Sequence, residues 1–169
     1  MFRLRFPARQ IPDWAARFGS ADGDRSIEAI GRRVRSRGFL TRTEFLAVCA
    51  WKSPRSAPRC RENSERDIRT LTRAAMASCD EEVKIELLRL LRGVEWPTAS
   101  AILHFCDENP YPILEYRALW SLGHAKPPPY TRDLWLRYVA FTRALAARGG
   151  HSMRTLDKAL WQYARARQR

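Results

Sequence analysis

Metal-ligand spacing is missing from this sequence. Its 169 residues hold four cysteines, Cys49, Cys60, Cys79 and Cys106, and three histidines, with no CxxC pair and no histidine cluster beside the thiols. That argues against a zinc or iron–sulfur site, so no metal and no cofactor is expected, and the thiols are expected reduced and mostly in the core. Long apolar runs are missing as well. No stretch reaches bilayer length, and the start, MFRLRFPARQ, lacks the apolar centre of a signal peptide. The expected setting is the cytoplasm, with no membrane partner. Alternating apolar and polar runs bounded by turn residues are scarce, which speaks against a sheet. Internal repeats and low-complexity segments are absent.

Negative charge is in deficit, with 18 Asp and Glu against 31 Lys and Arg and a net charge of +13. A surface of that sign attracts polyanions, and nucleic acid is the leading partner class. Lysine is scarce, only Lys52, Lys84, Lys126 and Lys158, so the planar guanidinium that suits phosphate contacts dominates. A genome rich in G and C would also enrich arginine, so a merely basic enzyme stays open.

What is present is apolar residues at helical spacing along nearly the whole chain, which predicts an all-α fold. Asp24 is placed to cap a helix carrying Ile27, Ile30 and Val34 and ended by Gly38. Thr41 to Glu44 has capping-box form. Asn63 or Ser64 opens a helix with Ile68, Leu71 and Ala75 inward and Arg66, Arg69 and Arg73 on a stripe that reads as a solvated face. Asp80 opens the next. Helices are predicted from about Glu115 to Gly123, from Thr131 to about Arg148, and from Ser152 to about Arg167. The expected organisation is a single domain over 1–169, a compact two-lobed helical bundle. One lobe covers about 24–122, and the other is drawn from 1–23 and 123–169.

The segment LLRGVEWPTASAI, residues 90 to 102, reads as two helices joined by a tight turn. Gly93 permits a positive φ, Pro97 suits the first turn of the second helix, and free N–H groups there make a phosphate seat. An ordinary helical hairpin is the plain alternative.

Leu91, Gly93, Val94, Thr98 and Ala99 resemble the hairpin motif of the helix-hairpin-helix DNA glycosylases, the superfamily of endonuclease III and MutY. YPILEYRALWSLG lies where that family carries its catalytic segment, with Glu115 at the Asp position, eighteen residues after Pro97. The resemblance spans about Leu87 to Gly123. It implies a monofunctional DNA glycosylase acting on double-stranded DNA with a flipped base, expected as a monomer, in repair or in defence against phages with modified bases. Pro97 replaces the lyase Lys of bifunctional members. Glu95 replaces a usual Gly, and Glu115 is one methylene longer than Asp. A non-catalytic helix-hairpin-helix DNA-binding protein is the alternative.

In this reading Glu115 is the catalytic carboxylate, because a fixed negative charge stabilises oxocarbenium character and orients the attacking water. Favourable placement at a helix N-terminus is the plainer role. Arg92, Gly93, Val94, Glu95, Thr98 and Arg55 are the candidate DNA contacts. Trp51, Lys52, Tyr116 and Arg117 are the candidate pocket for an extruded base. Trp51 closing the core is equally open. His104, His124 and His151 are scattered and suggest no nucleophilic chemistry.

Overall fold

A computed structural model describes residues 2–19 and 22–168. Among these residues the protein is all-α, with ten α-helices and no strand. They are α1 (Ile11–Phe18), α2 (Asp22–Arg37), α3 (Arg42–Lys52), α4 (Ala57–Cys60), α5 (Glu65–Ala77), α6 (Glu81–Arg89), α7 (Trp96–Cys106), α8 (Tyr116–Ser121), α9 (Arg132–Arg148) and α10 (Met153–Arg167). The chain divides into two units: residues 21–109 form one, and residues 1–20 with 110–169 form the other. The second boundary therefore falls at Pro110 and not near residue 122, because α8 packs on α10.

In residues 21–109 the centre is α7. Trp96, Thr98, Ala99, Ser100, Ala101, Ile102, Leu103, Phe105 and Cys106 are all buried, so the helix has almost no solvent face. It meets α2, α3 and α6. The approach to α2 is backbone to backbone: a Cβ on Gly31 would lie 2.1 Å from the Phe105 carbonyl oxygen, so nothing larger than glycine fits. Asp24 does not cap α2. It lies inside the helix, and its Oδ1 accepts the Trp51 indole N–H at 3.1 Å.

The Thr41–Glu44 capping box forms in full and gathers cations. Glu44 accepts from Arg33 Nε at 3.0 Å, from Arg37, and from Thr41 N at 3.1 Å. Burial pushes its carboxyl up, yet Thr41 N–H, Arg33, the Thr41 hydroxyl and Arg37 together hold it below its ordinary value. A depressed folded-state value contributes stability above the unfolded value, about pH 4.3, and that contribution is lost as pH falls through the folded value. Glu44→Gln is expected to cost about 1–3 kcal/mol at pH 7. In urea titrations the gap to wild type should close below about pH 4.

In the other unit α1 and α8 pack along α10. Neither α1 nor the short α4 was anticipated from the sequence pattern. Phe6, Trp14 and Tyr163 form an aromatic cluster, with Tyr163 4.5 Å from Phe6 and 5.2 Å from Trp14 between ring centroids. The N-terminal segment is tied down by Arg3 N–H to Leu122 O and Arg5 N–H to Ser121 O, both 2.9 Å. Ser121 Oγ in turn donates to Leu160 O at 2.6 Å.

Candidate functional site

The sequence candidates fall in different units. Trp51, Lys52, Arg55, Arg92, Gly93, Val94, Glu95 and Thr98 belong to residues 21–109, and Glu115, Tyr116 and Arg117 to the other.

The turn between α6 and α7 has the left-handed glycine that its sequence called for, with Gly93 at φ 78°. Val94 N–H closes it on Leu91 O at 3.1 Å, and Thr98 and Ala99 N–H both return to Glu95 O at 2.9 Å. Pro97 has no N–H to offer. Of the first-turn donors expected to face a phosphate, the Thr98 N–H is therefore spent on the helix itself.

The side chains correct the sequence reading further. Thr98 and Val94 are each only 2% exposed, so neither is a surface contact. Thr98 is core because α7 is covered on nearly every side. Glu95 is 71% exposed and pairs with Arg89 at 3.8 Å, while the Arg89 guanidinium lies 4.2 Å from the Trp96 ring centroid. Arg92 is also exposed, with Glu62 at 2.9 Å.

Asn63, read as a possible helix cap, has a different task. Its Oδ1 accepts from Arg92 N at 2.8 Å and its Nδ2 donates to Arg92 O at 2.9 Å, so one buried amide brackets the turn. Ser64 is the actual cap of α5. Sequence reasoning missed this because the two residues are 29 positions apart.

The same turn is packed from the other side. A Cβ on Gly93 would lie 2.8 Å from Cys60 Sγ, 2.9 Å from Cys60 N and 3.0 Å from Ser56 O. Cys60 also neighbours Cys49, whose thiol is pushed well up by burial first and then by Cys60, so it stays protonated. Gly93→Ala adds a left-handed penalty to that overlap, and a loss of about 2–4 kcal/mol is expected from denaturant unfolding.

Trp51 is half-buried, with its ring edge-on to Phe105 at 5.2 Å and its N–H on Asp24. The indole thus joins α3 to α2 and α7. Lys52 ends α3 half-buried, and Arg55 is exposed in the 3-10 turn Pro54–Ser56. None of the candidates lines the groove of about 610 Å³ bounded by Arg35, Arg73, Lys84, Cys106 and Asp107.

Glu115 is the N-cap residue of α8, with φ −153° and ψ 162°. Its carboxylate makes no cap bond to the helix, although its place at the helix start is the one that the plainer, dipole-based role requires. The side chain is half-buried. Its negative charge is felt by two phenols of the same unit. Tyr130 is raised by burial and then by Glu115. Tyr138, fully buried, is raised well above its ordinary value by burial, then Asp157, Glu115 and Tyr130. Both phenols remain protonated donors at neutral pH.

Tyr138 Oη donates to Ile113 O at 3.0 Å, anchoring on α9 the extended segment that delivers Glu115. Tyr116 is exposed, and the Arg117 guanidinium lies over the Tyr116 and Trp161 rings at 4.9 and 5.0 Å. Tyr130 follows a run of three prolines, a signal of stiffness that gives no hint of a neighbouring carboxylate.

The fold and these residues define an all-α protein with a half-buried acid at a helix start in one unit and a glycine-closed helical hairpin in the other. Among the described residues no three His, Cys, Asp or Glu gather to hold a metal, and no helix is long and apolar enough to cross a membrane. Compared with protein-family models, curated proteins and solved structures, the chain matches none.

Proposed function

We propose that the protein is a monofunctional DNA glycosylase that acts in the cytoplasm as a monomer, flips a damaged or modified base from double-stranded DNA and hydrolyses its N-glycosidic bond. The observation that carries this reading is Glu115: a half-buried acid at a helix start that makes no cap bond to its own helix and whose negative charge is felt by the phenols of Tyr130 and Tyr138. A carboxylate so placed suits a sugar developing positive charge, with a protonated phenol available to orient water or a leaving base. The hairpin resemblance supplies the rest, with Arg92, the Gly93 main chain, Glu95 and Arg55 as the contacts left once Thr98 and Val94 are counted as core. Pro97 offers no amine, so the strand would remain intact.

The test is incubation with duplexes carrying different modified bases, followed by mass spectrometry of the released small molecules. A free base that disappears with Glu115→Gln supports the reading. Salt-sensitive DNA affinity without base release would assign a binding protein instead.

A further inference from the structure

The basic excess is not spread along the chain. Residues 21–109 hold sixteen Lys and Arg against fourteen Asp and Glu, whereas residues 1–20 and 110–169 hold fifteen against four. Nearly all of the net positive charge therefore belongs to the unit built on α1 and α10, and the hairpin lies in the nearly neutral one. Of the four acids in the basic unit, Asp157 and Asp133 are taken up by Arg154 and Arg137 at 2.8 and 2.6 Å.

Arg154, Lys158, Trp161 and Arg165 follow one another at intervals of four, three and four residues, which puts them on one stripe of α10. Trp161 is half-buried and meets Phe18, at the end of α1, edge-on at 5.1 Å. Arg117 and Arg165 lie over the Trp161 ring at 5.0 and 5.3 Å. Arg154 and Lys158 each lie 5.6 Å from the Phe18 centroid. Beyond them Arg17 and Arg167 flank Trp14 at 4.5 and 5.9 Å. From Arg154 to Arg167 the helix rises about 20 Å, a length over which one DNA strand carries about six phosphates.

Cations interleaved with partly open rings are what an unpaired strand requires, since phosphates take the charges and bases stack on rings or on guanidinium planes. A duplex would use the charges and leave the rings idle. An anionic bilayer would need the rings to enter the acyl layer, but Trp161 and Phe18 are half-buried and braced edge-on against each other. We infer that the face formed by Phe18 of α1 with Lys158, Trp161 and Arg165 of α10 binds single-stranded nucleic acid. This surface does not depend on hydrolysis at Glu115, so either proposal can fail alone.

The test is fluorescence anisotropy of the full-length protein with a labelled oligothymidine of about 15 nucleotides, a matching duplex, and phosphatidylserine vesicles. The single strand should bind more tightly than the duplex. K158Q/R165Q/R167Q should flatten the log affinity against log salt slope by about two, at about 0.7 per cation. Trp161→Leu keeps an apolar side chain in place and should lower single-strand affinity by about 5- to 100-fold. It should leave the salt slope unchanged. The inference is overturned if the triple variant keeps the wild-type slope, if Trp161→Leu binds the strand as wild type does, or if vesicles bind and the oligonucleotide does not. Base release that persists while the strand fails to bind would remove this surface and leave the glycosylase reading intact.

Discussion

Lys84→Met is expected to cost about 3–5 kcal/mol, the range for breaking a buried ion pair by deleting one partner. Lys84 and Asp107 are each 3% exposed at the side chain and ion-paired. Lys84 Nζ also donates to Met76 O at 3.3 Å, and Asp107 Oδ1 accepts from Asn109 N at 2.9 Å. One ammonium thus holds the end of α5, the middle of α6 and the end of α7 together. Without it the buried Asp107 carboxylate loses its ion-pair partner, and the desolvation it suffered on folding is no longer offset by that pair. A domain of this size has about 5–15 kcal/mol in total, so the variant should unfold at markedly lower urea with an unchanged slope. Asp107→Asn keeps the oxygen that Asn109 uses and should be milder. In the double variant neither charge remains, so K84M/D107N should be more stable than the sum of the single losses predicts. A single loss below about 1 kcal/mol would mean the pair is solvated in practice.

What the sequence revealed of the fold, and what it hid, divides by distance along the chain. Thr41, Ser64, Asp80, Thr131 and Ser152 all stand at the helix starts where the sequence placed them, and each caps its helix by accepting from a backbone N–H two or three residues on. These bonds depend only on neighbours, so residue type and spacing suffice to read them. Asp24 fails for the complementary reason. Its pattern is that of a cap, but a partner 27 positions away claims its carboxylate. The unit boundary was misplaced by the same kind of event, since nothing local in YRALWS announces that it packs on α10.

At the candidate site, Gly93 was legible because a turn demands it, and Glu115 because it opens a helix. The burial of Thr98 was not legible, because a threonine among apolar residues reads equally as surface or core until the helix around it is seen to be enclosed. Asn63, Tyr130 and Tyr138 acquire their meaning only from tertiary neighbours. The charge asymmetry is a property of the sequence alone, yet it becomes visible only when the chain is divided at Pro110.

Glu115→Gln should lower the rate of base release by about 10²–10⁴-fold, the range for removing one positioned acid–base or charge-stabilising group. The substitution keeps shape and removes only the negative charge, so the segment anchored by Tyr138 on Ile113 O should stay in place. Single-strand affinity on the α10 face should be unaffected, which separates loss of chemistry from loss of binding. Glu115→Asp withdraws the oxygens by about an ångström and should still cost about a hundredfold, since catalytic geometry tolerates little displacement. A second readout does not require the substrate. Tyr130 is raised by burial and by the Glu115 charge, so in Glu115→Gln its phenol should ionise at lower pH while the part due to burial remains, visible by ultraviolet titration. If Tyr130 shifts and base release does not slow, the carboxylate is where the structure puts it but does no chemistry, and the assignment of Glu115 as the catalytic acid is wrong. If Tyr130 does not move, the two groups are too far apart in solution for the proposed arrangement of acid and phenol.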